Sequence, residues 1–305
     1  MIKQIPNGVF PTMITPYTAE NEIDYNAVSQ LLEWYYNKGV RSIFAICQSS
    51  EIFYLSFEER LSLLRFIMRN KSADMTVVAS GHTSDRFDTL LREADAFIET
   101  GIDGYVFIAN RFAQAEESDD ILTERMLKAA DALSEIALGV YECPYPYKRV
   151  LSPAVLSTLA GNGKFRFLKD TCCDLKQIER KLAAVKKSNL KIFNANSATL
   201  LPSLKLGCAG FSGVMANFHP ELYVTLCEIY NTDPEKAALL QDLIGTLSMA
   251  ECQCYPVNAK YYLSLEGLDI NIMSRSRSTA DFGPSRKAEI EEMRELTLTF
   301  EKTVL

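Results

Sequence analysis

Eight short runs of apolar and β-branched residues, at 9–15, 42–47, 75–80, 104–109, 137–142, 164–169, 190–194 and 209–215, alternate with segments of helical periodicity. In those segments Val28, Leu31, Leu32 and Tyr35, or Leu175, Ile178, Leu182 and Val185, each form one apolar stripe to be buried against a sheet. Strand alternating with helix is the pattern of parallel β/α structure. An open doubly wound sheet more often uses about six strands and carries a glycine-rich nucleotide loop after the first. Here the first run ends in Thr15-Pro16-Tyr17 with no glycine triplet. Eight units within residues 1–230 therefore predict a closed α/β fold, the (β/α)8 TIM barrel.

Boundary signals agree with that alternation. Ser56 with Glu59 spells a capping box, Ser152-Pro153 an N-cap followed by proline at the first helical position, and Gly39, Gly101 and Gly207 each follow a helical segment just before the next strand. Residues 231–305 read as further helices with an irregular polar loop around 271–282. Their apolar residues need a surface to cover, so the expectation is a C-terminal helical appendage packed on the barrel as one structural unit.

Charge narrows the partners. With 32 basic and 39 acidic residues the net charge is −7, which offers no diffuse attraction to phosphate backbones or anionic lipid. Residues 1–8 lack a basic segment followed by an apolar core, and no apolar run nears the roughly 18 residues that span a bilayer. The expectation is a cytoplasmic protein that binds neither nucleic acid nor membrane. The eight cysteines read as reduced, buried thiols, and with His82 and His219 the only histidines no zinc site is expected.

Active sites of such barrels sit at the C-terminal ends of the strands. Reactive side chains at those ends are Gln48-Ser49-Ser50-Glu51 after the second strand, Tyr141 and Glu142 after the fifth, Lys169 and Asp170 after the sixth, and Asn194, Asn196 and Ser197 after the seventh. Alternation along Phe165-Arg166-Phe167-Leu168-Lys169 puts Phe165, Phe167 and Lys169 on one face. A lysine held in a partly apolar interior loses hydration, its pKa falls from about 10.4, and the neutral amine condenses with a carbonyl. The competing reading is a strand-end lysine in solvent or paired with Asp170. Tyr141 is placed either to shuttle a proton or to cap the core with a wet hydroxyl.

Taken together these segments resemble the dihydrodipicolinate synthase and N-acetylneuraminate lyase family over essentially the whole chain. Thr15-Pro16-Tyr17 resembles the family's TPF, Gln48-Ser49-Ser50-Glu51 its TTGE, and Leu55-Ser56-Phe57-Glu58-Glu59-Arg60 its LSxEER. Tyr141-Glu142-Cys143-Pro144 resembles YNVP, Leu168-Lys169-Asp170-Thr171 with Asp174-Leu175 resembles IKEASGDL, and residues 210–217 resemble the eighth strand. The resemblance implies that Lys169 forms an imine with a pyruvate-type 2-oxo acid and that Tyr141 transfers protons at the reacting oxygen. It also implies that Gln48 and Ser49 hold the substrate carboxylate, with Ser50 and Ser212 as further substrate-binding candidates. No metal or organic cofactor is implied, and the assembly implied is a homotetramer, a dimer of dimers.

Three departures bear on the reaction. Gln48-Ser49 replaces the threonine pair and Ser50 the glycine. Pro146 stands where synthases place an arginine, with Lys148 and Arg149 the nearby cations, and Asn110-Arg111-Phe112-Ala113-Gln114 replaces PYYNK, so a phenyl ring stands where synthases have a relay tyrosine. These changes point away from dihydrodipicolinate synthesis and leave open a lyase or aldolase, a 2-keto-3-deoxy sugar acid dehydratase using the same lysine, or a non-catalytic 2-oxo acid binder.

Overall fold

The computed structural model describes residues 2–304. Its eight parallel strands are β1 (Gly8–Val9), β2 (Ser42–Phe44), β3 (Thr76–Ala79), β4 (Gly104–Ile108), β5 (Ala137–Tyr141), β6 (Phe165–Asp170), β7 (Lys191–Asn194) and β8 (Gly210–Phe211). They pair in the order β1-β8-β7-β6-β5-β4-β3-β2, and a parallel bridge from Thr12 to Phe44 closes the ring between its first and last members. Helices α1 (Tyr25–Asn37), α2 (Phe57–Asn70), α3 (Phe87–Ile98), α4 (Asp119–Ala132), α5 (Pro153–Asn162), α6 (Leu175–Val185), α7 (Leu200–Leu206) and α8 (Pro220–Ile229) follow the strands in turn. This is the TIM barrel. None of the helices among the described residues is long and apolar enough to cross a membrane.

The boundary signals act as read. Ser56 Oγ accepts from Glu59 N at 3.1 Å while Glu59 Oε2 accepts from Ser56 N at 2.8 Å, so two donors left over at the start of α2 are satisfied reciprocally. Seven of the eight strands are shorter than predicted, the first and the eighth most of all. The first covers Gly8–Val9 instead of 9–15, because Pro11 has no amide hydrogen to continue the ladder. The eighth covers Gly210–Phe211 instead of 209–215, and Val214–Asn217 turns into a 3-10 helix held by Asn217 Nδ2 on Thr12 O and Val214 O.

The β1–β8 seam tolerates no side chain at Gly210. A Cβ there would lie 1.8 Å from Gly8 O, and the backbone sits at φ +156°. Overpacking a tight contact costs about 1–3 kcal/mol, and more where backbone must move. Gly210→Ala is therefore expected to lower the unfolding free energy by at least about 3 kcal/mol in urea titration. Gly101→Ala, at φ +85° with nothing within 4 Å of the added methyl, should cost only about 1 kcal/mol. Equal losses at the two sites would refute the argument.

Inside the barrel an aromatic layer forms the floor of what lies above. Phe10 meets Phe167 and Phe193 at 5.3 and 4.9 Å, Phe167 stacks on Phe193 at 4.7 Å, and Phe44 meets Phe167 at 6.1 Å. Strict alternation would add Phe165, but it does not join the layer. The β5–β6 register shifts between Leu138 and Gly139, leaving Arg166 as an extra residue. Phe165 packs instead on Phe107 at 6.0 Å. The remaining helices, α9 (Pro234–Leu247), α10 (Val257–Leu265) and α11 (Pro284–Val304), contribute Leu240, Ile244, Val257, Leu263 and Ile290 to the same buried cluster as the barrel.

Candidate active site

The last residue of β5, Tyr141, is in register with Lys169 on β6, so the two side chains stand side by side at the C-terminal end of the barrel. Lys169 Nζ lies 4.3 Å over the Tyr141 ring and 5.9 Å over the Phe44 ring, and the residue is 3% exposed. Its amine makes no hydrogen bond or ion pair with any described residue; Asp170, its neighbour in sequence, is taken by Lys181. Burial pulls the amine below the ordinary lysine value, against a weaker opposing pull from the Cys47 and Cys143 thiols. The Tyr141 hydroxyl donates to Gln48 Oε1 at 3.3 Å, and the Cys143 thiol donates to the same oxygen at 3.3 Å. Burial raises the Tyr141 pKa well above its usual value, so the phenol keeps its proton.

The turn after β2 sorts its residues into two kinds. Gln48 and Ser49 line a cavity of about 650 Å³ together with Tyr141, and Ser49 Oγ donates to Thr12 Oγ1 at 2.9 Å. Ser50 does not line it: its hydroxyl accepts from Cys47 N at 3.1 Å and donates to Met13 O at 2.6 Å, which holds the turn in shape. Ser212 is likewise absent from the lining, with its hydroxyl on Phe10 O at 3.1 Å.

Glu51 follows in the left-handed region at φ 60°, fully buried, where its carboxylate accepts from Ser274 Oγ and Ser276 N at 2.7 Å each and pairs with Lys260 at 3.3 Å. Lys260 also donates to Met273 O and lies 4.5 Å over the Tyr17 ring, and burial lowers its amine to about 8. The loop 271–282 is thereby fastened to the turn that carries Gln48 and Ser49, and it brings Ser276, Arg277 and Asp281 to the cavity wall.

Directly behind Tyr141 and Lys169 lies a buried ionic triad. Lys181 of α6 pairs with Glu142 Oε1 at 2.6 Å and with Asp170 Oδ2, and all three are at most 1% exposed. Glu142 also accepts from Leu151 N at 2.8 Å and Thr171 N at 2.9 Å. Burial, then Asp170, pushes the Glu142 carboxyl up to about 7 against the pull of Lys181. The triad ties the ends of β5 and β6 together one residue beyond the tyrosine and the lysine.

The Dihydrodipicolinate synthetase family matches residues 5–287. The chain belongs to that family. Its members are class I, Schiff-base lyases and aldolases, and this chain is an enzyme of that kind. A 4-hydroxy-tetrahydrodipicolinate synthase of Methanothrix thermoacetophila is 25% identical over 73% of this chain and 74% of its own. An uncharacterized DapA-like lyase of Halobacterium salinarum is also 25% identical, over 86% of this chain and 85% of its own. Among solved structures, the E. coli K12 prophage protein YagE in complex with pyruvate has a TM-score of 0.85 at 21% identity, covering 97% of this chain and 98% of that one.

Two of the positions singled out in the sequence lie in the loops that follow β4 and β5. Pro146 follows a cis peptide bond in the loop after β5, where Asn110 Nδ2 contacts the carbonyls of Cys143, Tyr145 and Tyr147 at 2.6–2.9 Å. Arg149 points away from the cavity, donating to Gln114 O and Glu117 O at 2.8 Å and pairing with Asp119. Lys148 is exposed and does not line the cavity. The guanidinium groups that do line it, Arg277 and Arg286, come from the C-terminal segment. Phe112 is buried against Phe107 at 4.7 Å and His82 at 5.7 Å.

The thiol expectation needs correcting. Cys173 and Cys252 are exposed, and Cys252 and Cys254 line the cavity. Glu251, Tyr255, Arg277 and Arg286, which also line it, were not singled out from the sequence. One omission left a signal: Lys181 falls on the buried stripe of α6 between Ile178 and Val185, where the periodicity asks for an apolar residue.

Proposed function

We propose that the chain forms a Schiff base between Lys169 and the carbonyl carbon of pyruvate or a related 2-oxo acid, and makes or breaks a carbon–carbon bond beside it. The observation that carries this reading is the Lys169 amine, held among aromatic rings without a hydrogen-bonding or ionic partner. The neutral amine adds to C2, the carbonyl oxygen leaves as water, and the resulting iminium acidifies the adjacent carbon, which gives up a proton to water while its C–H pair becomes the enamine double bond. Tyr141, kept protonated by burial and oriented by Gln48, is the proton carrier at the reacting oxygen. Gln48 and Ser49 face the cavity as the carboxylate-binding pair. Incubation with pyruvate and borohydride followed by mass spectrometry tests the reading: a stable adduct on Lys169 supports it, and an adduct on another lysine defeats it.

The substrate that joins this 2-oxo acid is not the one used by dihydrodipicolinate synthases. With Pro146 uncharged, Arg149 committed elsewhere and Phe112 lacking a hydroxyl, turnover of aspartate semialdehyde is expected to be lower than that of an authentic synthase. Loss of one charge-assisted hydrogen bond, about 1.5–3 kcal/mol, already lowers the rate by about one to two orders of magnitude. A coupled assay at saturating pyruvate checks this. Turnover equal to a synthase would show that these positions do not govern substrate choice.

A further inference from the structure

We propose that Glu251 is a further catalytic residue, the acid–base group that moves the proton on the reacting hydroxyl of the substrate's distal half. The proposal rests on the Schiff-base reading of Lys169.

Glu251 sits in the 3-10 turn Ser248–Cys252 that follows α9, and it lines the same cavity as Gln48, Ser49 and Tyr141. Two of the other carboxyls at this end of the barrel are spoken for. Glu51 is held by Lys260, Ser274 and Ser276, and Glu142 by Lys181, Leu151 and Thr171. Asp281 also lines the cavity, but it is exposed. Glu251 is half-buried and makes no hydrogen bond or ion pair with any described residue, although a half-buried carboxyl gains by finding one. Its electrostatic neighbour is the imine-forming lysine: burial raises the Glu251 pKa and Lys169 lowers it, while Glu251 in turn raises that of Lys169. Its charge also acts on the Tyr223 and Tyr255 phenols.

The chemistry needs such a group. In the addition direction the enamine carbon attacks an aldehyde carbon, a carbon–carbon bond forms, the nitrogen pair restores the iminium, and the aldehyde oxygen takes the proton of the Glu251 carboxyl. In cleavage the Glu251 carboxylate takes the hydroxyl proton, the carbon–carbon bond breaks, and its electron pair moves into the enamine. The enamine carbon then takes a proton, returned from the Glu251 carboxyl by way of water, and water hydrolyses the resulting imine, releasing the 2-oxo acid and the Lys169 amine. Tyr141 stands at the imine end on Gln48, and Phe112, buried against Phe107 and His82, has no hydroxyl to lend.

The test uses the full chain and its Glu251→Gln variant. Borohydride trapping with pyruvate is measured first, then addition of pyruvate to glycolaldehyde, D-glyceraldehyde and D-erythrose. The expected result is an adduct yield within twofold of wild type and an addition rate lowered about 100-fold or more, the usual scale of a lost general acid. Partial recovery of Glu251→Ala by added formate would support the same role. An addition rate within threefold of wild type in Glu251→Gln overturns the proposal, as does a wild type that forms the adduct but adds to none of the three aldehydes. A wild type that forms no adduct overturns the Lys169 reading, and this one with it.

Discussion

Lys169→Ala is expected to abolish the borohydride-trapped pyruvate adduct entirely while weak pyruvate binding at Gln48 and Ser49 persists. No other amine in the described residues both abuts Tyr141 and lacks a partner; of the other buried lysines near the site, Lys260 is paired with Glu51 and Met273 O, and Lys181 with Glu142 and Asp170. Mass spectrometry of the trapped protein gives the first half of the result and calorimetry with pyruvate the second. The adduct should also have a characteristic pH dependence. Since burial lowers the Lys169 pKa, the neutral amine appears at lower pH than in a surface lysine, and the trapping rate should climb with a midpoint below about 10.4. Stability carries the same sign. The unfolded chain binds the Lys169 proton more tightly, so stability rises as pH climbs through the folded value toward the unfolded one. At neutral pH Lys169→Met is therefore expected to melt above wild type while being inactive, and a lower melting temperature would contradict this.

Lys181→Met should be among the most destabilising single changes at this end of the barrel. The variant leaves Glu142 and Asp170, both 0% exposed, facing each other without a cation. Removing one member of a buried ionic cluster costs about 3–5 kcal/mol, because the groups left behind stay desolvated. At about 2.1 cal/mol/K of unfolding entropy per residue, a chain of this length would melt about 5–8 °C lower. Glu142→Gln combined with Lys181→Met should recover part of the loss, since one stranded charge is gone. Scanning calorimetry of the two variants decides it: no recovery in the double variant would mean that packing, not charge, sets the cost.

The barrel was legible because its elements are local. Caps such as Ser56 with Glu59 and stripes such as that of α6 are written within a few residues, and the eightfold repeat needs only counting. Strand ends were less legible, since Pro11 cuts β1 short and the Val214–Asn217 turn replaces the end of β8. Phe165 was misplaced because a bulge at Arg166 reverses the parity on which alternation depends. Lys169, Tyr141, Gln48 and Ser49 stood out because strand ends mark a barrel's working face. Ser50 and Ser212 share that location, but which way a hydroxyl turns is decided by Met13 O and Phe10 O, far away in sequence. Glu251, Arg277 and Arg286 reach the cavity only through the path of the C-terminal chain, and no spacing in the sequence encodes that path.

The clasp between Glu51 and the loop 271–282 divides the lining of the cavity by ancestry within the chain. The end of β5 and the turn after β2 furnish Tyr141, Gln48 and Ser49, while half of the lining, from Glu251 to Arg286, is drawn from residues beyond 250. Insertions or substitutions along that C-terminal stretch can reshape what the pocket admits without disturbing a single strand. The clasp then works as a hinge pin between a fixed barrel and a replaceable selector: cutting it by changing Glu51, which holds Ser274, Ser276 and Lys260, would loosen the selector while leaving Lys169 in its place.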